Sequence, residues 1–70
     1  MQSKNKTVMR SMEILNLFIR HAKLSFNEIV EYSGIPKTSA YRMVQTLEEM
    51  DLLDKDTNGH YSLGVLFLRF

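Results

Sequence analysis

The sequence predicts a mainly α-helical domain with a small β-hairpin. Apolar residues recur at helical spacing in three segments, a capping box opens the second of these segments, and an Asn58-Gly59 pair separates two short stretches near the C-terminus. Seventy residues form one small domain at most. The sequence contains no cysteine, so neither a disulfide framework nor a thiolate zinc site is expected to stabilise the fold.

The first predicted helix runs from Thr7 to about Ala22, after a polar, flexible arm at residues 1–6. One apolar stripe along this helix comprises Val8, Met12, Leu15, Ile19 and Ala22. A second apolar group, Ile14, Leu17 and Phe18, lies around the cylinder from that stripe. Because so small a domain cannot bury both sides of a helix, the second group is expected to contact either a neighbouring strand or the C-terminal segment, or else a second copy of the chain. We favour a dimer contact.

The second predicted helix is short and has clear signals at both ends. Ser25 and Glu28 form a capping box, in which the serine side chain accepts from the Glu28 amide and the glutamate reaches back to the Ser25 amide. Ser33-Gly34 ends the helix, since a glycine readily adopts the positive φ that follows a helix C-terminus. The chain then turns into a third helix.

The third predicted helix, from Pro36 or Lys37 to Met50, has two different faces. Pro36 suits its first turn, where a missing N–H does no harm. One face is apolar and comprises Ala40, Met43, Val44 and Leu47. The opposite face is polar and cationic near the helix start, with Thr38, Tyr41, Arg42 and Gln45 at its centre and Lys37 and Ser39 beside them.

A β-hairpin is predicted to follow. Its arms are residues 53–55 and 60–63, and its turn is Asp56-Thr57-Asn58-Gly59. Alternation along the second arm predicts that Tyr61 and Leu63 are buried and that His60 and Ser62 point outward. Residues 65–70 begin a further apolar segment, which is expected to be the start of a truncated linker helix.

This order of elements is that of a winged helix-turn-helix over residues 7–64, with three helices and a two-stranded wing. The helix-turn-helix motif itself extends from Ser25 to Val44. Since the B-DNA major groove accepts one α-helix, the third helix (about 36–50) is predicted to enter it, with the hairpin (53–63) on the backbone or in the minor groove. The net charge is only +1, but the charges are unevenly distributed. Residues 1–23 carry five basic side chains and one acidic, and residues 48–56 carry five acidic side chains and one basic, so one surface can be cationic enough to face phosphates.

The exposed face of the third helix has the chemistry that reads bases. Arg42 can contact guanine O6 and N7 in a bidentate manner, and Gln45 can pair with adenine. The hydroxyls of Thr38, Ser39 and Tyr41 suit phosphates, and their methyl or ring surface is available for a thymine methyl group. Lys37 with the first amides of the helix suits another phosphate. Further DNA contacts are predicted at the start of the second helix and in the hairpin, at Ser25, Lys55, Asn58 and His60.

The stretch from Ser33 to Arg42, the Gln45-Thr46-Leu47 step and His60 to Gly64 resemble the N-terminal DNA-binding domain of the IclR (isocitrate lyase regulator) family. The resemblance covers nearly the whole chain. It implies a cytoplasmic bacterial transcription regulator, with a repressor role favoured, that binds a palindromic operator as a homodimer or higher oligomer. It also implies a small-molecule effector that acts through a C-terminal domain missing here. DNA contacts are implied for Thr38, Ser39, Tyr41 and Arg42.

The hairpin departs from the family pattern at two positions. His60 and Ser62 stand where basic residues are common, so wing contacts to phosphate are expected to be weaker, or dependent on pH through His60.

The sequence gives less support to catalysis, metal binding or insertion into a membrane. His21 and His60 fall in no nucleophile or metal-ligand pattern, and Asp54 and Asp56 are typical turn-forming residues. We therefore expect no enzyme activity, no metal and no cofactor, and no apolar run is long enough to span a membrane. Two alternatives stay open: a winged helix that binds proteins, and one that binds left-handed duplexes, although the latter usually has prolines in its wing and this wing has none.

Overall fold

The computed structural model describes residues 6–65, which form three helices and three short strands. Helix α1 spans Lys6–Arg20, α2 spans Phe26–Ser33 and α3 spans Lys37–Glu49. The strands are β1 (Leu24–Ser25), β2 (Leu53–Lys55) and β3 (His60–Leu63). The predicted winged helix-turn-helix is confirmed, and each predicted helix and hairpin strand is present with its ends shifted by two residues at most.

The two ends of the chain differ slightly from the prediction. Lys6 already belongs to α1, and the rest of the predicted arm, residues 1–5, lies outside the described residues. Of the predicted linker segment, only Val65 is described, and residues 66–70 lie outside. Pro36 caps α3 from the preceding position and does not form its first turn. Among the described residues, no helix is both long and apolar enough to cross a bilayer.

A third strand joins the hairpin to the helices. In the antiparallel sheet, β3 lies between β1 and β2, and Leu24 pairs with Tyr61 and Ser25 with His60. Strand β1 is not predicted from the sequence, because two residues are too few to show alternation. The added strand attaches the hairpin directly to the start of α2.

One apolar core contains residues from all three helices and the sheet, and it buries the side of α1 that we had assigned to a dimer. Ile14 is fully buried and Phe18 is 6% exposed, while Leu17 packs against the same cluster. The predicted dimer contact through these three residues is therefore wrong. Because α2 and α3 both pack on this side of α1, the opposite side carries the exposed apolar residues Val8, Met12 and Ile19.

Alternation in β3 correctly predicts that Tyr61 is buried, but the prediction for Leu63 is wrong. Leu63 is 38% exposed, although it faces the same side of the sheet as Tyr61. The reason is the length of β1, whose register ends opposite Tyr61. Beyond that point β3 has a neighbouring strand only on the β2 side, so the end of the strand is open to solvent.

The exit from α3 is held by a tight set of backbone contacts. Asp51 adopts a left-handed conformation (φ 64°), and the Leu52 N–H donates to the Leu47 carbonyl over 2.9 Å, as in a Schellman motif. The Gly64 N–H in turn donates to the Leu52 carbonyl over 2.9 Å. A side chain at position 64 would overlap the carbonyl of Asp51, so this close approach requires a glycine.

Candidate nucleic-acid interface

The turn between α2 and α3 is fixed by its own backbone hydrogen bonds. Gly34 has φ 71°, and its N–H donates to the Val30 carbonyl over 3.0 Å, which ends α2. The Ile35 N–H donates to Ser33 Oγ over 3.2 Å, and the Ile35 side chain is buried in the core. The direction of α3 relative to α2 is therefore set by a left-handed glycine and an apolar anchor.

The predicted capping box fixes the other end of α2. The Glu28 N–H donates to Ser25 Oγ over 3.1 Å, and the Ser25 N–H donates to Glu28 Oε1 over 2.8 Å. The Ser25 hydroxyl is half-buried and accepts in this cap, but its own O–H proton can still be donated to a phosphate. Ser25 also pairs in register with His60, so two of the predicted DNA contacts lie side by side.

Helix α3 is amphipathic as predicted. Its buried face comprises Ala40, Met43, Val44 and Leu47. The outward face carries all six predicted reading residues: Lys37, Thr38, Tyr41, Arg42 and Gln45 are exposed and Ser39 is half-buried. The structure thus brings these residues together on one surface.

This outward face keeps its positive charges free. Within residues 6–65, the ion pair found is between Lys23 and Asp56, so neither Lys37 nor Arg42 has a carboxylate partner there. No side chain caps the start of α3, which leaves its first amides open to an anion. Glu49 is exposed too, three turns further along the helix. The start of α3 therefore offers positive charge to a phosphate or a base edge.

Two depressions flank the outward face of α3. The one on the α2 side has a volume of about 430 Å³ and is lined by Phe26, Lys37, Thr38, Tyr41 and Arg42. The one on the α1 side has a volume of about 250 Å³ and is lined by Thr7, Ser11, Ser39, Arg42, Met43 and Thr46. Arg42 borders both. Sequence reasoning missed Phe26, Thr7 and Ser11, because only the packing of the helices brings them beside α3.

The turn of the hairpin is organised by the carboxylate of Asp56. Its Oδ1 accepts from the N–H groups of Asn58 and His60, each over 2.9 Å, and its Oδ2 accepts from Lys23 Nζ over 3.2 Å. Gly59 has φ 84°, and its N–H donates to the Asp56 carbonyl over 3.1 Å. The loop is therefore a four-residue turn with only the glycine left-handed, and Asn58 is exposed on it.

The hairpin offers less free positive charge than the sequence suggests. Lys23 is held by Asp56, and the Lys55 ammonium lies 5.8 Å from the centre of the Tyr61 ring, with which Lys55 pairs in register. Lys55 is nevertheless exposed, so its side chain can move away from the ring. Helix α3 is the stronger candidate for the main contact with a nucleic acid.

The hydrogen bonds to Asp56 lower the pKa of its carboxyl below the ordinary value of 3.8, mainly through the His60 N–H and further through Lys23 and the Asn58 N–H. Because the folded-state pKa is depressed, the charged carboxylate stabilises the fold above pH 3.8, and this stabilisation is lost as the pH falls through the lower folded pKa. At neutral pH the contribution is constant.

Replacing Asp56 with asparagine should therefore remove a pH-dependent part of stability. Urea unfolding followed by circular dichroism at a series of pH values is expected to show a constant difference between wild type and Asp56→Asn near neutral pH, and a shrinking difference below pH 3.8. Asp54→Asn, which removes a neighbouring carboxylate on β2, is the matched control. A difference that stays the same down to about pH 2 would contradict the assigned role.

Comparison with known proteins identifies this arrangement. Residues 7–57, which contain all three helices and β2, match the sequence profile of the IclR helix-turn-helix domain. The chain belongs to the IclR family. The IclR-type chain is a DNA-binding domain of a transcription regulator and not an enzyme.

Individual relatives agree with this assignment. The chain is 54% identical over all 70 residues to the HTH-type transcriptional regulator KipR of Bacillus subtilis (strain 168), of which it covers 28%. It is similar to the crystal structure of an IclR transcriptional regulator from Alicyclobacillus acidocaldarius, with a TM-score of 0.90 and 30% identity over 96% of this chain and 28% of the other. The IclR-type chain therefore spans about a quarter of the length of these relatives.

The fold is also shared outside the family. The Zalpha domain of PKZ from Carassius auratus, solved in complex with Z-DNA, has a TM-score of 0.77 over 84% of this chain and 98% of that domain. The two are only 13% identical, so this likeness concerns the fold alone.

Proposed function

We propose that this IclR-type domain binds double-stranded DNA in a sequence-specific manner, with α3 in the major groove and the hairpin on the backbone or in the minor groove. One observation carries the proposal: the outward face of α3 presents Arg42, Lys37 and Thr38 without a carboxylate partner, opposite a fully buried stripe. A helix that is fixed on one side and cationic on the other matches what the groove requires.

The roles of the individual side chains follow from their chemistry. Arg42 contacts a guanine through both of its terminal nitrogens, and Gln45 contacts an adenine. The depression between α1 and α3 is lined by Ser11 of α1 and Ser39 of α3, whose hydroxyls can donate to phosphate oxygens. Ser25, Lys55, Asn58 and His60 provide the remaining backbone contacts around the start of α2 and the hairpin.

The whole protein, of which this domain would be a part, acts as a repressor that occupies a palindromic operator in the bacterial cytoplasm. A small-molecule effector would act through a region outside this chain. The competing proposal of a protein-binding winged helix requires an apolar or acidic outward face near the start of α3, and this face is polar and cationic.

The salt dependence of binding tests this proposal against the protein-binding alternative. The affinity of the 70-residue chain for a duplex, measured by fluorescence anisotropy between about 50 and 200 mM salt, should fall linearly on a log–log plot, because phosphate neutralisation releases counterions. Lys37→Ala should reduce the slope by about 1 while leaving sequence preference unchanged. Association that does not depend on salt would instead favour a protein partner as the ligand of this face.

We also propose that the domain pairs with a second copy through the exposed apolar side of α1. Val8, Met12 and Ile19 are each more than half exposed. Together with half-buried Leu15 they are spaced 4, 3 and 4 residues apart, as in a coiled-coil seam. A two-fold pair would present two copies of α3 to the two halves of a palindrome.

Replacing Ile19 with aspartate should weaken this pairing by about tenfold or more, because the seam would then bury a charge. Sedimentation equilibrium of wild type and Ile19→Asp over a range of concentrations measures the effect. Thr57→Asp introduces the same charge at the exposed hairpin turn and serves as the control. If Ile19→Asp and Thr57→Asp associate equally well, the seam on α1 is not the contact.

A further inference from the structure

The depression on the α2 side of α3 differs in character from the rest of the outward face. Two of its walls are aromatic rings, those of Phe26 and Tyr41, which meet edge to face with their centres 6.0 Å apart. The other residues that line it are Lys37, Thr38 and Arg42. An apolar recess therefore lies in the middle of a polar surface.

The recess is held in place by the core. Phe26 is the first residue of α2, directly after the capping box, and its ring packs against the core cluster. Tyr41 is 55% exposed, but its ring is positioned by the contact with Phe26. One wall of the recess is therefore rigid and the other is supported by it, so the shape exists before any ligand binds.

The charges around the recess indicate what kind of molecule would enter. Lys37 and Arg42 border it, and none of the residues that line it within 6–65 is acidic. A ligand that places an apolar group inside must therefore carry negative charge or hydrogen-bond acceptors beside that group. Duplex DNA meets both conditions in its major groove, where the thymine 5-methyl group is apolar and the guanine O6 and N7 atoms are acceptors.

We propose that this recess binds the 5-methyl group of a thymine that neighbours the guanine contacted by Arg42, and so selects thymine at one position of the operator. The inference rests on the proposed function of α3. Tyr41 and Arg42 both line the recess, so a methyl group inside it lies close to the base contacted by the guanidinium, and we assign the two bases to adjacent base pairs. Phe26 thereby becomes a specificity-determining residue, although it lies on α2.

Substitution of single thymines by deoxyuridine tests the recess, since it removes the methyl group alone. Duplexes would first be selected by the 70-residue chain from a random pool, and each thymine of the selected site would then be replaced in turn. Replacement at one position beside a guanine should weaken binding by about fourfold, the value expected for taking one methyl group out of water. At the same position, 5-methylcytosine should bind about fourfold more tightly than cytosine.

Substitutions of the residues that line the recess test whether the recess is what contacts that methyl group. Phe26→Leu keeps apolar bulk for the core. In this variant and in Tyr41→Ala, the ratio of the affinities for the thymine and deoxyuridine duplexes should fall towards one. Tyr32→Ala, which removes a half-exposed tyrosine of α2 that does not line the recess, should keep the full difference. This comparison is a double-mutant cycle between the protein and the methyl group.

The outcomes separate this inference from the proposed function. If selected duplexes bind in an Arg42-dependent manner but no thymine responds to deoxyuridine, the recess proposal is overturned and the proposed function stands. If the response persists in both Tyr41→Ala and Phe26→Leu, another part of the surface reads the methyl group and the proposal is again overturned. If the chain selects no sequence at all, both fail.

Discussion

Replacing Ile14 with alanine should remove much of the domain's free energy of unfolding. Ile14 is fully buried where α1 meets the other helices, and truncating a buried isoleucine costs about 2–5 kcal/mol. A domain of this size has a small core, so its free energy of unfolding is expected near the lower end of the usual range of about 5–15 kcal/mol. The substitution therefore removes much of the available stability.

Urea unfolding followed by circular dichroism measures this effect, and α1 itself offers a matched control. Ile19→Ala makes the same chemical change at a residue that is 77% exposed, and its unfolding free energy should stay within about 0.5 kcal/mol of wild type. Both variants should be measured at a concentration where the chain is monomeric, so that any pairing through α1 does not contribute. Equal effects of the two substitutions would contradict the assigned orientation of α1, and a larger effect of Ile19→Ala would mean that α1 is packed with its other side inward.

Replacing Arg42 with alanine should have the largest effect on DNA binding. A bidentate contact between an arginine and a guanine contributes about 1–3 kcal/mol to discrimination, so affinity for a selected duplex should fall by about 5- to 150-fold. Preference at the guanine position should relax at the same time. Thermal unfolding should be nearly unchanged, because the side chain is exposed and forms no ion pair within residues 6–65.

Arg20→Ala is the control for charge alone, since it removes an exposed guanidinium at the far end of α1. We expect it to lower affinity for every duplex by a similar small factor and to leave sequence preference intact. Fluorescence anisotropy with the selected duplex and with single-base variants distinguishes the two. An Arg42→Ala protein that keeps the affinity and preference of wild type would show that another face of the domain reads the bases.

Much of the fold could be predicted from the sequence because its boundaries are set locally. The capping box at Ser25 and Glu28 and the left-handed Gly34 depend on residues only a few positions apart, and the structure contains both. The outward position of the α3 residues that we propose contact DNA was predicted for a related reason. Once Ala40, Met43 and Val44 identify the buried stripe, helical periodicity places Arg42 and Gln45 on the outside.

The errors all concern features that depend on distant parts of the chain. The two apolar sides of α1 are similar in sequence, and only the packing of α2 and α3 determines that Ile14 lies inside and Ile19 outside. Strand β1 exists because β3 comes to lie beside it, and Leu63 is exposed because that strand is short. Tertiary contacts thus decide between options that local patterns leave equal.

The residues of the candidate site also divide into those that the local sequence predicts and those that only tertiary packing brings in. Its residues on α3 were visible in the sequence, whereas Phe26 came into the site through the angle at which α2 approaches α3. In the sequence Phe26 is one more apolar residue of a short helix, and nothing separates it from the core residue Ile29. Its ring contact with Tyr41 gives it a second role on the surface.

The close approach of Gly64 to Asp51 has a mechanical consequence. Backbone hydrogen bonds lead from the Leu47 carbonyl through Leu52 to the Gly64 N–H, and the absent side chain at position 64 brings the two backbones into contact. The end of α3 and the point where the chain leaves the sheet are thus one stiff joint. A force that displaces the backbone at Gly64 would therefore be passed on to the C-terminal end of α3 through these two hydrogen bonds.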